Sequence, residues 1–322
     1  MPYEGGGATL RVAVVTPAFN AAATIADTIA SVLAQTHEDV RLIVVDDGSA
    51  DDTAAIAARF EDPRIDLLRQ PNAGVSAARN RGLIAAGTAA ALLFLDADDW
   101  LAPTALATLV ATLRSAPQAV AAVGPFAYLD SAASRPRLAR YRPARDPIDL
   151  LPGLVVQNSF ANGGHVLIRG AALHRAGGFR PGIAYGEDWE FFIRLALLGP
   201  FAFAAGAAPV LFVRSCPDGA YRRLAADHAA FGPCMQAIFA NPDLVARYGP
   251  RRVAALRRCA EAENAWIVGR EQIRHGRVTQ GWRSLAWSVA VAPSPRRLAL
   301  LCAAAARPLL PNRWRGPFRS YG

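Results

Sequence analysis

A chain of 322 residues with 52% hydrophobic residues and a net charge of +9 has enough apolar surface to bury its own core, which excludes disordered and small stapled scaffolds. All 35 basic residues are arginine, and they are unevenly spread: residues 1–120 carry 8 arginines against 14 acids, residues 211–322 carry 18 against 6. The basic back should face something anionic.

In chain order, short β-rich apolar runs alternate with helix-length segments, the pattern of a mostly parallel sheet with helices on its faces. The first ten residues contain Glu4 and three glycines where an export signal needs a basic stretch and an apolar run. Strands are predicted at residues 11–16, 41–45, 65–69, 91–95 and 120–126. Between the first two, residues 24–35 place Ile25, Ile29, Val32 and Leu33 on one helical stripe. Helices follow at 51–60, 75–86 and 103–114, the first with acids in its opening turn. Residues 131–150 hold three prolines and five arginines without apolar period and read as a surface loop. A strand at 165–168 and a helix at 189–198 come next. Beyond about residue 215 strands are no longer evident. Residues 244–292 read as helices, with Trp266, Ile267, Trp282, Leu285 and Trp287 available for packing.

The four cysteines, Cys216, Cys234, Cys259 and Cys302, are widely spaced without C-x-x-C, so neither a zinc site nor a redox motif is indicated. The longest apolar run, residues 298–306, is nine residues, well short of the roughly 20 needed to span a bilayer. A soluble or peripheral protein is expected.

Four clusters fall at or beyond predicted strand ends, where open α/β sheets place their ligands. Asp46-Asp47-Gly48-Ser49-Ala50-Asp51 is either a capped turn or a pair of carboxylates, Asp46 and Asp47, able to accept hydrogen bonds from a base or ribose. In the segment 72–82, helix-start amides and Arg79 could meet a diphosphate; ordinary capping with solvated arginines is the alternative. Asp96-Ala97-Asp98-Asp99-Trp100 puts three carboxylates within four residues, a crowding that a cation relieves, and oxygen ligands select Mg²⁺ or Mn²⁺. In Gly186-Glu187-Asp188-Trp189, acids open a helix beside an aromatic, as dipole partners or as a platform for a sugar face and its hydroxyl.

Taken together with Val14-Val15-Thr16-Pro17-Ala18-Phe19-Asn20, these clusters resemble glycosyltransferase family 2, with the GT-A fold, over roughly residues 10–215. Each motif is weak alone; five in the family's order and spacing are specific. The resemblance implies an α/β fold with a GT-A-type, mostly parallel sheet and helices on both faces. It further implies a catalytic, nucleotide-sugar-binding domain over residues 1–215, leaving 216–322 as a helical, arginine-rich appendage. By the same resemblance, Pro17 and Phe19 border the nucleotide base, Asp47 binds the base and Arg79 lies near the diphosphate. Asp96, Asp98 and Asp99 match the DxD region, with Asp96 on the donor and Asp98 and Asp99 toward the metal. Asp188 matches the general base, and Glu187 and Trp189 shape the acceptor site.

The implied activity is inverting transfer from a nucleotide sugar, UDP-sugars being the usual donors, to a hydroxyl of a glycan, a lipid-linked or another acceptor. Cell-surface polysaccharide or glycolipid synthesis in the cytoplasm or at the inner membrane face is the expected setting. The chemistry agrees: expelling a nucleoside diphosphate builds negative charge that a cation and Arg79 would stabilise. A single base on the opposite face gives inversion.

Rival readings fit less well. A nucleotidyltransferase needs a glycine-rich basic loop after the first strand, and a dinucleotide oxidoreductase needs G-x-G-x-x-G; Thr16-Pro17-Ala18-Phe19-Asn20 is neither. A non-catalytic scaffold docking its basic half on an anionic surface is the remaining alternative, against which the intact Asp96, Asp98, Asp99 and Asp188 speak. The arginines lack the aromatic interleaving of single-strand binders, so no nucleic-acid partner is expected. Arg296, Arg297, Arg307, Arg313, Arg315 and Arg319 flank residues 298–306, Leu309, Leu310 and Trp314, which either lie on an anionic membrane or pack as a last helix.

Overall fold

The computed structural model describes residues 10–130, 136–138, 150–204, 208–215, 227–295, 297–299 and 301. They divide into two compact units.

The first unit comprises the described parts of Met1–Leu150, Phe160–Gly182 and Glu187–Ser215. Its chain order is β1 (Val12–Ala18), α1 (Ile25–Leu33), β2 (Val40–Asp46), α2 (Thr53–Ala57), β3 (Ile65–Arg69), α3 (Val75–Ala86), β4 (Ala91–Phe94), β5 (Trp100–Leu101) and α4 (Ala105–Ser115). Strands β6 (Ala121–Val123), β7 (Phe126–Asp130) and β8 (Pro136–Leu138) precede the short helix α5 (Leu150–Val156), which beyond Leu150 belongs to the second unit. Then come β9 (Val166–Arg169), α6 (Gly170–Ala176), α7 (Glu187–Leu198), β10 (Phe201–Phe203) and β11 (Leu211–Ser215).

Seven strands form one sheet in the order β10-β6-β9-β4-β1-β2-β3, parallel except for β9. All seven residues of β1 are buried, as expected of a strand covered on both faces. Alternate residues serve the two faces. Val12, Val14, Leu42, Val44, Leu93 and Leu95 join Ile25, Ile29 and Val32 of α1 and Leu106, Leu109 and Leu113 of α4 in one core. On the other face a Cβ at Gly82 of α3 would stand 2.2 Å from Val15 Cγ1, so only glycine lets this helix lie so close to β1. Phe94 on that face meets Phe191 of α7 edge-on.

Helix α1 has no side-chain N-cap bond, a feature worth about 1 kcal/mol where present. Burial of Ile25, Ile29 and Val32, at about 1.5–3 kcal/mol each, outweighs the missing cap.

The chain proceeds from β1 to β2 and β3 on one side and resumes with β4 on the other side of β1. The strand order thus reverses between β1 and β4, which opens a crevice at their C-terminal ends. A second sheet, β5-β11-β7-β8, belongs to the same unit.

The strand predicted at 120–126 is two strands in different sheets. Pro125 separates them, and Gly124 passes Val210 so closely that a Cβ would lie 2.5 Å from its Cγ2. Within the predicted loop 131–150, residues 136–138 pair with β7, while 131–135 and 139–149 lie outside the described residues. Helix α2 is half its predicted length and α7 begins two residues early.

The second unit comprises Leu151–Ser159, Ile183–Gly186 and the described part of Cys216–Gly322. Its helices are α8 (Gly232–Phe239), α9 (Pro242–Arg274, interrupted at Gly249 with φ 74) and α10 (Val278–Val291). Helices α9 and α10 cross with their backbones in contact: a Cβ on Gly281 would fall 2.5 Å from the Gly269 carbonyl oxygen. Ser288 Oγ donates to the Ala262 carbonyl at 2.7 Å, and Leu285 is buried. Of the tryptophans expected to pack here, Trp266 is buried and Trp282 half-buried, but Trp287 is turned outward. Among the described residues no helix is long and apolar enough to cross a membrane. Apart from Arg297, the arginines singled out in the tail, with Leu309, Leu310 and Trp314, lie outside the described residues, as do Cys216 and Cys302.

Candidate active site

The loops after β1 and β2 are knitted together at the crevice. Asn20, the one described non-glycine residue with positive φ (50), donates its amide to Ser49 Oγ at 3.0 Å, and its Oδ1 accepts from the Ala50 amide at 2.9 Å. The amides of Ala21 and Ala22 reach Thr53 Oγ1 and Asp51 Oδ2 at 2.7 and 3.1 Å. At the end of β1, Pro17 is buried whereas Phe19 is 52% exposed, so the ring available to a planar ligand is that of Phe19.

Both carboxylates of the Asp46-Asp47 pair are buried. Asp46 accepts from the Ser49 amide at 3.2 Å and from Arg69 Nε at 3.3 Å. Asp47 accepts from Gln70 Nε2 at 2.7 Å and from the amides of Ala73 and Gly74 at 2.9 and 2.8 Å. Asp47 thereby pins the turn that starts α3. Gly48, at φ 75, passes so close that a Cβ would lie 2.7 Å from the Asn72 nitrogen.

The acidic loop after β4 is held by its backbone. Thr24 Oγ1 donates to the Ala97 carbonyl at 2.8 Å, and Thr28 Oγ1 lies 2.8 Å from the Asp99 carbonyl. Its three side chains part company. Asp99 is 2% exposed, with Oδ1 accepting from the Arg214 amide at 2.9 Å and Oδ2 from Asn162 Nδ2 at 2.6 Å. Asp96 is bonded to Arg79. Asp98 is pushed up to about 6 by burial and by the charge of Asp96, with Arg214 pulling the other way. Burial and the same neighbouring acids raise Asp99 well above the carboxylate range.

This excess of carboxylate charge suits a hard divalent cation. Yet among the described residues no three His, Cys, Asp or Glu side chains converge to chelate one unaided. The arrangement fits Mg²⁺ or Mn²⁺ held by one or two carboxylates and completed by phosphate oxygens of a substrate. Asp98 fits as that ligand; Asp99, whose oxygens are already engaged, fits as support.

Arg79, expected beside a diphosphate, is instead 4% exposed and bridges two acids. Its Nη1 donates to Glu187 and its Nη2 to Asp96, both at 2.8 Å, and the guanidinium lies 5.1 Å from the centroid of the Phe179 ring. Burial opposes its charge, but Asp96 and Glu187 outweigh burial and hold its pKa above the guanidinium range. Next along α7, burial and the neighbouring Glu187 push the Asp188 carboxyl up to about 7, against the pull of Arg79. A carboxyl so poised can hold or release a proton near neutrality. Trp189, expected to shape an acceptor pocket, is 3% exposed, so its indole offers no open platform.

Arg214, in a segment to which the sequence assigns no role, also reaches the acidic loop. Beyond its amide bond to Asp99, its Nε donates to the Asp98 carbonyl at 3.2 Å, Nη2 pairs with Asp27 at 3.1 Å, and the guanidinium lies 5.0 Å from the Trp100 ring centroid. Arg214 lies in β11, which pairs antiparallel with β5 and parallel with β7, and no motif announces that register. His165 is structural: Nδ1 bonds the Gly124 carbonyl at 2.8 Å and Nε2 accepts from the Ala161 amide at 3.2 Å. Burial lowers its pKa to about 4.

A sheet that reverses its strand order, with Asp96 of the loop after β4 and Glu187 at the start of α7 bonded through Arg79, has the GT-A architecture. Residues 13–177 match the family described as Glycosyl transferase family 2, and the chain belongs to that family. It is similar to the uncharacterized glycosyltransferase YibD of Escherichia coli K12, 38% identical over 104 residues, 32% of this chain and 30% of that protein. It is also similar to the UDP-Glc:alpha-D-GlcNAc-diphosphoundecaprenol beta-1,3-glucosyltransferase WfgD of E. coli, 42% identical over 93 residues, 28% of this chain and 36% of that protein. The chain spans about a third of the length of each of these two relatives.

Among solved structures, S. aureus TarS 1–349 in complex with UDP superposes with a TM-score of 0.57 at 16% identity, over 92% of this chain and 87% of that one. The mannosyltransferase PcManGT from Pyrobaculum calidifontis, in complex with GDP-Man and Mn2+, gives 0.57 at 20% identity, over 95% and 83%. These likenesses show the fold.

Proposed function

We propose that the protein is an inverting glycosyltransferase moving a sugar from a nucleoside diphosphate sugar, UDP-linked in the first instance, to an acceptor hydroxyl. The observation that carries this reading is the Arg79 bridge, which joins the acid loop after β4 to the start of α7. Asp96 and Asp98, suited to a donor, and Asp188, suited to a proton acceptor, thereby belong to one charged cluster.

Residues 1–215 act as the catalytic domain and 216–322 as its arginine-rich appendage. Phe19 and the loops at Asp46 and Asp47 border the nucleotide, and Asp96 and Asp98 face its ribose and diphosphate. Asp188 takes the proton from the acceptor hydroxyl as the oxygen attacks the anomeric carbon and the bond to the diphosphate breaks. Glu187, tied to Arg79, fixes the start of α7 so that Asp188 stays in place. Mg²⁺ or Mn²⁺ at Asp98, shared with the donor's phosphates, would neutralise charge on the departing nucleoside diphosphate. One base on the face opposite the leaving group produces inversion.

WfgD, named for transfer from UDP-Glc to a diphosphoundecaprenol-linked sugar, and TarS bound to UDP support a UDP-sugar donor and a glycan or lipid-linked acceptor. Cell-surface polysaccharide or glycolipid synthesis at the cytoplasmic membrane face fits both. A panel of nucleotide sugars offered to purified protein, with release of nucleoside diphosphate as readout, tests the reading. Cation-dependent release from one donor supports it, whereas no release and no binding from any donor would leave the non-catalytic scaffold.

A further inference from the structure

Helix α10 carries apolar side chains on its outward side as well as on its packed one. Its sequence, VTQGWRSLAWSVAV, holds one charged residue in fourteen, Arg283. One side packs on α9 through Gly281, Ser284, Leu285 and Ser288, all buried. A surface helix with one packed face ordinarily turns polar residues to water. Here the outward stripe is Arg283, Ala286, Trp287, Ala290 and Val291, spaced i, i+3, i+4, i+7 and i+8. Trp287 is 47% exposed and Val291 36%, and Leu298 just beyond the helix is 46% exposed. The neighbouring α9 follows the ordinary rule, with Arg251, Arg252, Arg257 and Arg258 on its exposed side.

The described charge of this unit is mainly positive: from residue 227 on, ten arginines stand against five acids, one of which, Glu261, lines a pocket together with Trp287. Arg277, at the N-cap of α10, and Arg283 are both exposed. A second copy of so cationic a surface would be repelled, while an anionic surface is attracted.

We propose that the outward face of α10 docks the protein on an anionic lipid bilayer, Trp287 and Val291 entering the headgroup boundary and Arg277 and Arg283 meeting lipid phosphates. Tryptophan favours that boundary because its ring is apolar and its N–H polar. A fourteen-residue helix is too short to span, so it lies in the interface plane. The electrostatic share is screened by salt within a Debye length. This docking goes beyond the glycosyltransferase reading and is measured without turnover, so either can fail alone.

The test is co-sedimentation of the full-length protein with phosphatidylglycerol-containing vesicles and with pure phosphatidylcholine vesicles, at low and high salt. The expected result is binding to the anionic vesicles at low salt, weakened about tenfold or more by high salt and by the Trp287→Ser/Val291→Ser double substitution. Both side chains are solvent-facing, so an unchanged melting temperature confirms that the variant is folded. Arg277→Gln/Arg283→Gln, which leaves the apolar stripe intact, should remove part of the salt-sensitive binding. Absence of binding to anionic vesicles at low salt, undiminished binding by the folded Trp287/Val291 variant, or equal binding to neutral vesicles would overturn the proposal. So would a lipid-free, concentration-dependent dimer abolished by the same double substitution.

Discussion

Arg79 and Glu187, 108 positions apart, are joined at 2.8 Å inside the first unit, and the same guanidinium holds Asp96 at the same distance. Removing it strands two carboxylates beside a third, Asp188. Breaking a fully buried ion pair costs about 3–5 kcal/mol; since Asp96 keeps 28% exposure, Arg79→Met should cost roughly 2–4 kcal/mol in denaturant unfolding. Arg79→Lys should recover only part of it, because a point charge cannot bridge two acids as a planar fork does. A melting curve for Arg79→Met matching the parent's would refute the bridging role.

Asp188→Asn should leave donor affinity nearly unchanged and lower turnover by about 10²–10⁴, the usual worth of a positioned base. Calorimetry with the donor and steady-state kinetics separate the two effects. Near-normal turnover would move the role to another group, with Glu187 first in line.

The pH profile follows from the same carboxyl. Only its ionised form accepts a proton, and burial with Glu187 raises its pKa to about 7. Turnover should therefore rise through pH 7 and fall about tenfold per unit below it. Arg79 pulls this pKa down, so in Arg79→Lys, if the lysine sits farther away, the limb should move to higher pH. A flat profile between pH 5 and 8 would contradict the assignment.

Much of this architecture is legible in the sequence. Helix α1 follows from its apolar stripe and strands β1 to β4 from their short apolar runs, and the acids of the site could be placed at strand or helix ends. What the sequence withholds is direction. Asp47, Asp98 and Asp99 look alike in a string, but a turn amide at Gly74, Asn162 and the amide of Arg214 draw two of them inward. Trp189 and Trp287 are equally apolar, yet one is buried and the other faces water. Strands β5, β10 and β11, two to five residues long, carry too little pattern to register.

That difference in direction separates Asp98 from Asp99 experimentally. Asp98→Ala should weaken cation-dependent donor binding about tenfold or more while leaving the melting temperature near the parent's. Asp99→Ala leaves a buried amide and the Asn162 side chain without their acceptor, at about 1–3 kcal/mol each, and should lower the melting temperature markedly. If the two variants exchange these phenotypes, Asp99 is the metal ligand.

The partners of Asp99 lie 63 and 115 positions downstream. During synthesis the strands β1 to β4 leave the ribosome with their acidic loop already formed in sequence but without the residues that satisfy it. Contacts of such long separation close late. A nascent chain ending before β11 can carry a layered core and still have no competent crevice, so donor binding should appear abruptly once Arg214 has cleared the exit tunnel.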